Sequence, residues 1–237
     1  MPNPYFQFKQ FTIHQEKCAM KVGTDGVLLG AWTDCSSAQR ILDIGTGTGL
    51  IALMLAQRTV APIDGLEIDE AAILQAKENV QNSPWADRIN IVHNSFQDFY
   101  EEQTTCYDLI VSNPPYFENS LKSPSKGRTT ARHTDSLSAL EIIVGSKSLL
   151  TDNGQLCVIL PINEGLDFLK KAEESGLYCQ RKTAVIPRMG TAVKRLLLCF
   201  GLESSACQES ELLIETDNRH SYSDQYKALT KDYYLRF

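Results

Sequence analysis

From residue 40 onward the chain alternates short apolar runs with helix-length segments, and few folds accommodate that alternation. Residues 40–44, 63–68, 89–93 and 107–112 read as buried strands, rich in Ile, Val and Leu. A helix over residues 50–58 follows a glycine turn, and Asp69 sits where it can cap a helix running to about residue 82. Strand–helix–strand units of this kind build a parallel sheet with helices on its faces. Further on, Ser138 and Glu141 stand at capping-box spacing before a helix reaching about residue 150. A turn at residues 151–154 leads into a strand over 155–160, followed by a helix over 164–174. Two long strands, 178–186 and 194–201, flank a connection short enough for a hairpin. The architecture implied is an α/β parallel sheet closing with an antiparallel hairpin. The first 20 residues alternate as a short strand or hairpin, and residues 20–32 read as a loop entering a helix. A last strand at 212–214 and a terminal helix near 223–234 complete the pattern. No linker interrupts it, so one domain over 1–237 is expected, with an N-terminal extension (1–35), a core (36–202) and a C-terminal strand and helix (203–237).

The turn after the first core strand is Asp43-Ile44-Gly45-Thr46-Gly47-Thr48-Gly49. Glycines there allow positive φ and a close approach of ligand to backbone. Leu50 stands where a dinucleotide fingerprint needs its last glycine, so that motif is not met. The G-x-G-x-G pattern suits S-adenosylmethionine, whose carboxylate would gain from the free N–H groups of the following helix. Glu67, with Ile68 beside it, ends the second strand where a carboxylate can accept both hydroxyls of a ribose. Ser95 and Phe96 follow the third strand where an adenine would sit, and Phe96 suits either that ring or the core. Trp32 and Trp85 read as packing residues.

Asn113-Pro114-Pro115-Tyr116 follows the apolar run ending the fourth strand. Two prolines stop the ladder and fix φ, which holds an amide, a carbonyl and a ring at the strand's carboxyl end. Ligands of open α/β sheets bind at that end. An exocyclic adenine nitrogen is a poor nucleophile because its lone pair is delocalised into the ring. Hydrogen bonds from its NH2 to the Asn113 oxygen and the Pro114 carbonyl favour a pyramidal nitrogen and localise that pair. Transfer then rests on in-line positioning, with Tyr116 stacking on the base. The base must be unpaired or flipped to reach such a pocket.

A net charge of −6 speaks mildly against nucleic acid as a partner, but its distribution speaks the other way. Residues 119–134 carry Lys122, Lys126, Arg128 and Arg132 beside His133, and no acid. Residues 175–202 carry Arg181, Lys182, Arg188, Lys194 and Arg195, again without an acid. Such segments suit a phosphate-contacting surface. The seven cysteines are scattered and never spaced C-x-x-C, as expected of reduced thiols in a cytoplasmic protein. None of the four histidines is paired at ligand spacing, so no metal is expected, and no apolar run is long enough to cross a membrane.

The glycine loop, Glu67 and Asn113-Pro114-Pro115-Tyr116 resemble those of class I S-adenosylmethionine methyltransferases acting on amino groups. More specific are the whole segment from Cys18 to Trp32, Leu55-Ala56-Gln57-Arg58, Asn82-Ser83-Pro84-Trp85-Ala86 and the ending Ala228-Leu229-Thr230-Lys231-Asp232-Tyr233-Tyr234-Leu235. Together they resemble the bacterial tRNA(Val) adenine-N6 methyltransferase family over nearly the whole chain, a family that methylates the adenine next to the anticodon, position 37. The resemblance implies a Rossmann-like fold with a seven-stranded, mostly parallel sheet and an antiparallel C-terminal hairpin strand. It implies S-adenosylmethionine as cofactor, with Lys21, Thr24 and Asp25 closing over its methionine end. Asp43, Gly45, Gly47, Gly49, Glu67, Ile68, Ser95, Phe96 and Asn113 complete the cofactor set. Asn113, Pro114 and Tyr116 are the catalytic candidates. Lys122, Lys126, Arg128, Arg132 and His133 would grip the anticodon stem-loop of a tRNA, and a monomer is expected. Relatives often carry Asp where this chain has Ser95, which leaves the adenine contact to Ser95, the nearby backbone or Asp98. Glutamine-N5 methylation of a protein and guanine-N2 methylation of ribosomal RNA are rival enzymatic readings, because each substrate also presents a planar NH2. A non-catalytic RNA-binding module is the rival of another class.

Overall fold

The computed structural model describes residues 3–18, 20–114 and 137–236. Strands β1 (Tyr5–Gln7) and β2 (Thr12–His14) form the small N-terminal hairpin. Helix α1 (Thr24–Trp32) then leads to the α/β alternation: β3 (Ile41–Ile44), α2 (Leu50–Ala56), β4 (Ile63–Glu67), α3 (Glu70–Gln81) and β5 (Ile89–His93). Helix α4 (Phe96–Glu102), strand β6 (Tyr107–Ser112), helix α5 (Ala139–Leu149) and strand β7 (Leu150–Pro161) continue it. Helix α6 (Ile162–Glu174), strands β8 (Tyr178–Arg188), β9 (Arg195–Gly201) and β10 (Gln208–Glu215), and helix α7 (Asp224–Thr230) complete the described chain.

Eight of these strands form one sheet in the order β10-β8-β9-β7-β6-β3-β4-β5. All neighbours are parallel except β9, which runs antiparallel to both β7 and β8. The count exceeds the expected seven because β10 adds along the open edge of β8, from Gln208 opposite Arg181 to Glu215 opposite Arg188. That edge strand brings acids to the cations of β8: Lys182 meets Glu209 at 2.9 Å and Arg188 meets Glu215 at 3.3 Å. Three of the five cations over 175–202 thus meet acids, Arg195 pairing with Asp25 at 2.7 Å, while Arg181 lies over the Trp32 ring at 3.7 Å. Those four cations brace the sheet. The phosphate-contacting role that their sequence clustering suggested gives way to this pairing.

Two apolar layers cover the sheet. On one face α1, α2, α3 and the N-terminal hairpin bury residues such as Ile13, Leu28, Leu53 and Ala76; on the other α4, α5 and α6 bury Phe96, Ile142 and Phe168. Helix α2 is buried at all seven positions, which suits a helix sandwiched between sheet and neighbours. Asp69 and Ser138 cap α3 and α5 as expected, Ser138 within a full capping box. Residues 151–154 differ from expectation: they do not form a free turn but a bulge within β7, between the pairs Leu150–Tyr107 and Gln155–Leu109.

Chain order reverses between β3 and β6, which are neighbours although α2 leads away from β3 on one side and α5 leads away from β6 on the other. A crevice outside the carboxyl ends of the strands opens at such a reversal. Gly65 in β4 governs how closely the turn after β3 packs there: a Cβ on it would lie 2.9 Å from Ile91 Cδ1 and 3.1 Å from Thr46 Oγ1. Gly65→Ala should cost about 1–3 kcal/mol by urea unfolding, because Ile91 and Thr46 must shift.

Candidate active site

Backbone and carboxylates together shape the turn after β3. Gly45, Gly47 and Gly49 have φ of 69°, 56° and 81°, a conformation that a side chain would strain. The Gly45 and Thr46 N–H groups both donate to the Leu66 carbonyl at 2.9 Å. Glu67, at the end of β4, accepts from the Gly47 N–H at 2.9 Å, and its other oxygen accepts from the Ile68 and Asp69 N–H groups. Beneath the turn, one oxygen of Asp43 accepts from the Thr46 hydroxyl at 2.6 Å and from the Ala52 N–H at 3.2 Å. Its other oxygen has no hydrogen-bond partner among the described residues. Burial pushes the Asp43 carboxyl up to about 7, against the lowering effect of its two donors.

Two adjoining cavities lie above this turn. One, of 460 Å³, lies between Lys21–Gly26, the glycine turn, Asn113 and Pro114. The other, of 330 Å³, lies between Glu67–Asp69, Asn94–Gln97, Cys18 and Leu137. Met20, Gly45, Gly47 and Asn113 border both. Asn113 directly follows β6, which Ser112 ties to β3 by donating its hydroxyl to the Ile44 carbonyl at 3.0 Å.

Most of the expected cofactor residues converge here: Lys21, Thr24, Asp25, Gly45, Gly47 and Asn113 on the larger cavity, Glu67, Ile68, Ser95 and Phe96 on the smaller. Asp43 and Gly49 are not among the lining residues. Asp43 is fully buried under the turn, and Gly49 caps α2 against Ala76. Ser95 is the N-cap of α4: its hydroxyl accepts from the Asp98 N–H at 3.0 Å and lies 2.8 Å from the Asp98 carboxylate. Phe96 serves core and cavity at once, 4% exposed and 5.4 Å from Tyr100. Tyr116, Lys122, Lys126, Arg128, Arg132 and His133 lie outside the described residues.

Sequence reasoning passed over Asn94, Gln97 and Cys18. Asn94 had the same signal as Asn113, a polar residue directly after a core strand. It also passed over the anchoring of the N-terminal segment by α3. Asn79 accepts from the His14 N–H and donates to the His14 and Thr48 carbonyls, while Gln75 accepts from the Lys17 N–H. Gln15 in turn accepts from the Val22 N–H at 2.8 Å and, through its carbonyl, from Lys21 Nζ. These bonds bring the segment bearing Lys21 over the cavity. Among the described residues no group of His, Cys, Asp and Glu is arranged to hold a metal ion, and no helix is long and apolar enough to cross a membrane.

Comparison with known proteins agrees with this geometry. The methyltransferase small domain family matches residues 22–174. A tRNA1(Val) (adenine(37)-N6)-methyltransferase of Bacteroides fragilis is 51% identical over 237 residues, covering 100% of each chain. One of the same name from Trichodesmium erythraeum is 49% identical over 98% of each chain. The chain belongs to the tRNA1(Val) (adenine(37)-N6)-methyltransferase family. Among solved structures, a "predicted O-methyltransferase" of Agrobacterium tumefaciens superposes with a TM-score of 0.70 at 17% identity, covering 88% of this chain and 96% of that one. At that identity the likeness concerns the fold.

Methyltransferases of this family and fold take S-adenosylmethionine as methyl donor, and the residues present fit it. A Cβ on Gly45 would meet nothing within 4 Å, so the turn presents bare backbone to open space where a ligand can lie against it. The half-exposed Ile68 offers an apolar surface beside Asn94 and Ser95.

Asp43 makes this site sensitive to pH. Because its folded-state value is raised from 3.8 to about 7, its neutral form favours the fold below pH 4, and that advantage is lost as pH rises towards 7. Urea unfolding at several pH values should show the wild type losing up to roughly 4 kcal/mol relative to Asp43→Asn across this window. Parallel curves for the two proteins would contradict the assignment.

Proposed function

We propose that this chain transfers a methyl group from S-adenosylmethionine to N6 of adenine 37, next to the anticodon, in tRNA(Val). The observation that carries the reading is the position of Asn113, on the shared border of two cavities at the carboxyl end of β6. Full-length relatives named for that reaction, 51% and 49% identical, support the choice of substrate.

The cofactor would lie across both cavities. Glu67, Ile68, Asn94 and Phe96 would hold its adenosine, and Lys21, Thr24 and the Gly45–Gly47 backbone its methionine end. When bound it supplies a methyl group already activated on sulfonium. The Glu67 carboxylate is suited to ribose hydroxyls because it is fixed by three backbone N–H groups. Asn113 and the Pro114 carbonyl accept the two N–H bonds of the adenine amine, localise the nitrogen lone pair and aim it at the methyl. These fixed acceptors favour the positive charge that develops on nitrogen, and the surplus proton leaves to water. No side chain need act as a strong base. Tyr116 would stack on the base, and Lys122, Lys126, Arg128, Arg132 and His133 would hold the anticodon stem-loop by its phosphates. With a tRNA as substrate, the enzyme would work in the cytoplasm, as one domain comprising the whole chain.

Asn113→Ala should reduce methylation of a tRNA(Val) transcript by at least about a hundredfold and leave S-adenosylmethionine affinity within about twofold. The product would be read as N6-methyladenosine by mass spectrometry of digested RNA, with a transcript bearing guanine at position 37 as control. Full turnover by the variant, or methylation of the control, would refute the reading.

A further inference from the structure

A second opening lies on the same edge of the sheet as the candidate site. Strand β8 runs in the direction of β7 and β6, because each is antiparallel to or parallel with the strand between them, and β10 runs parallel to β8. The last residues of β8 and β10 therefore finish on the edge where Gly45, Glu67 and Asn113 finish. There they meet the N-terminal hairpin, α7 and the C-terminal residues around a groove of 1060 Å³. Thr24 lines this groove and also the 460 Å³ cavity that Asn113 borders, so the two openings share a wall.

The groove's lining is aromatic within and cationic at its rim. Tyr222 and Tyr226 stack at 5.3 Å with planes 29° apart, and Phe6 meets Tyr234 edge-on at 6.0 Å. Lys227, Lys231 and Arg236 are exposed around these rings. Among the described residues, the one acid lining the groove, Glu215, is engaged by Arg188 at 3.3 Å and by the His220 N–H at 2.9 Å. His220 itself is held at φ 66°, a left-handed conformation uncommon outside glycine. In a chain of net charge −6, the groove's lining carries three cations against one engaged acid, with Asp224, outside the lining, pairing with Lys227 at 3.6 Å. Cations spaced around ring faces suit a phosphodiester chain with planar bases, whereas a small anion would be too small for a groove of this length.

We propose that this groove binds the sugar–phosphate backbone of the substrate tRNA outside the target nucleotide, and so contributes to affinity for the RNA rather than to the transfer step. The inference rests on the tRNA reading above and extends its footprint to the C-terminal helix. Lys227 and Lys231, one turn apart, would each neutralise a phosphate, Lys227 by exchanging its exposed pairing with Asp224 for the RNA, and Tyr222 would supply a stacking face.

The test is Lys227→Ala/Lys231→Ala, set against Lys77→Ala/Lys170→Ala, which removes equal charge from exposed faces of α3 and α6. Filter binding of a tRNA(Val) transcript across a salt series is read for all three proteins, with S-adenosylmethionine affinity and kcat at saturating tRNA alongside. The groove variant should bind tRNA roughly tenfold more weakly at low salt, with the salt slope reduced by about two (roughly 0.9 per phosphate contact). Its cofactor affinity and saturated kcat should match the wild type, and the control variant should bind normally. Unchanged affinity and slope in the groove variant, or an equal loss in the control, would overturn the proposal. Failure of the wild type to bind or methylate the transcript would instead overturn the tRNA reading on which it rests.

Discussion

A stretch of backbone five residues long, Gly45 to Gly49, is held open by carboxylates from two adjacent strands, and the site is organised around it. Three residues of this turn adopt positive φ, which would be costly for any side chain and which presents bare backbone to the crevice. Glu67 fastens the turn from β4 and Asp43 from beneath, so its shape is fixed without a ligand. A ligand then has little ordering left to impose, which is the energetic advantage of a preformed cradle.

The position of the cradle follows from topology. Because order reverses between β3 and β6, the turn after β3 and the asparagine after β6 face one crevice with no helix between them. Neither needs unusual acidity or a metal to serve a transfer in which the donor is already activated. On the proposed reading, what the protein contributes is fixed geometry: an amide and a proline carbonyl on one side, a rigid turn on the other.

Much of this was legible in the sequence because it is local. Apolar runs give the strands, glycines give the turn, and Asp69 and Ser138 give caps through bonds to residues three positions away. What escaped was set by partners far along the chain. The cations of residues 175–202 look unopposed until β10 and α1 bring Glu209, Glu215 and Asp25 against them. Helix α4 escaped because seven residues with two inward phenylalanines, Phe96 and Phe99, scarcely show a helical period. Residues 151–154 have the composition of a turn, yet pairing on both sides draws them into β7 as a bulge. The sequence groups Asp43 and Gly49 with the cofactor residues, yet neither lines the cavities, because proximity in sequence does not separate a lining residue from one supporting it.

Helix α1 is stapled at several points along its length. Asp25 is bound by Arg195, the Trp32 indole donates to Thr183 at 2.9 Å under the Arg181 guanidinium, and Arg58 donates to the Gly30 and Thr33 carbonyls. A helix anchored to β8, β9 and the end of α2 moves only with the sheet. The wall carrying Thr24 and Asp25 is thus a jamb set by strands on the far half of the sheet, so the width of the opening beside it is fixed by contacts remote from the crevice itself.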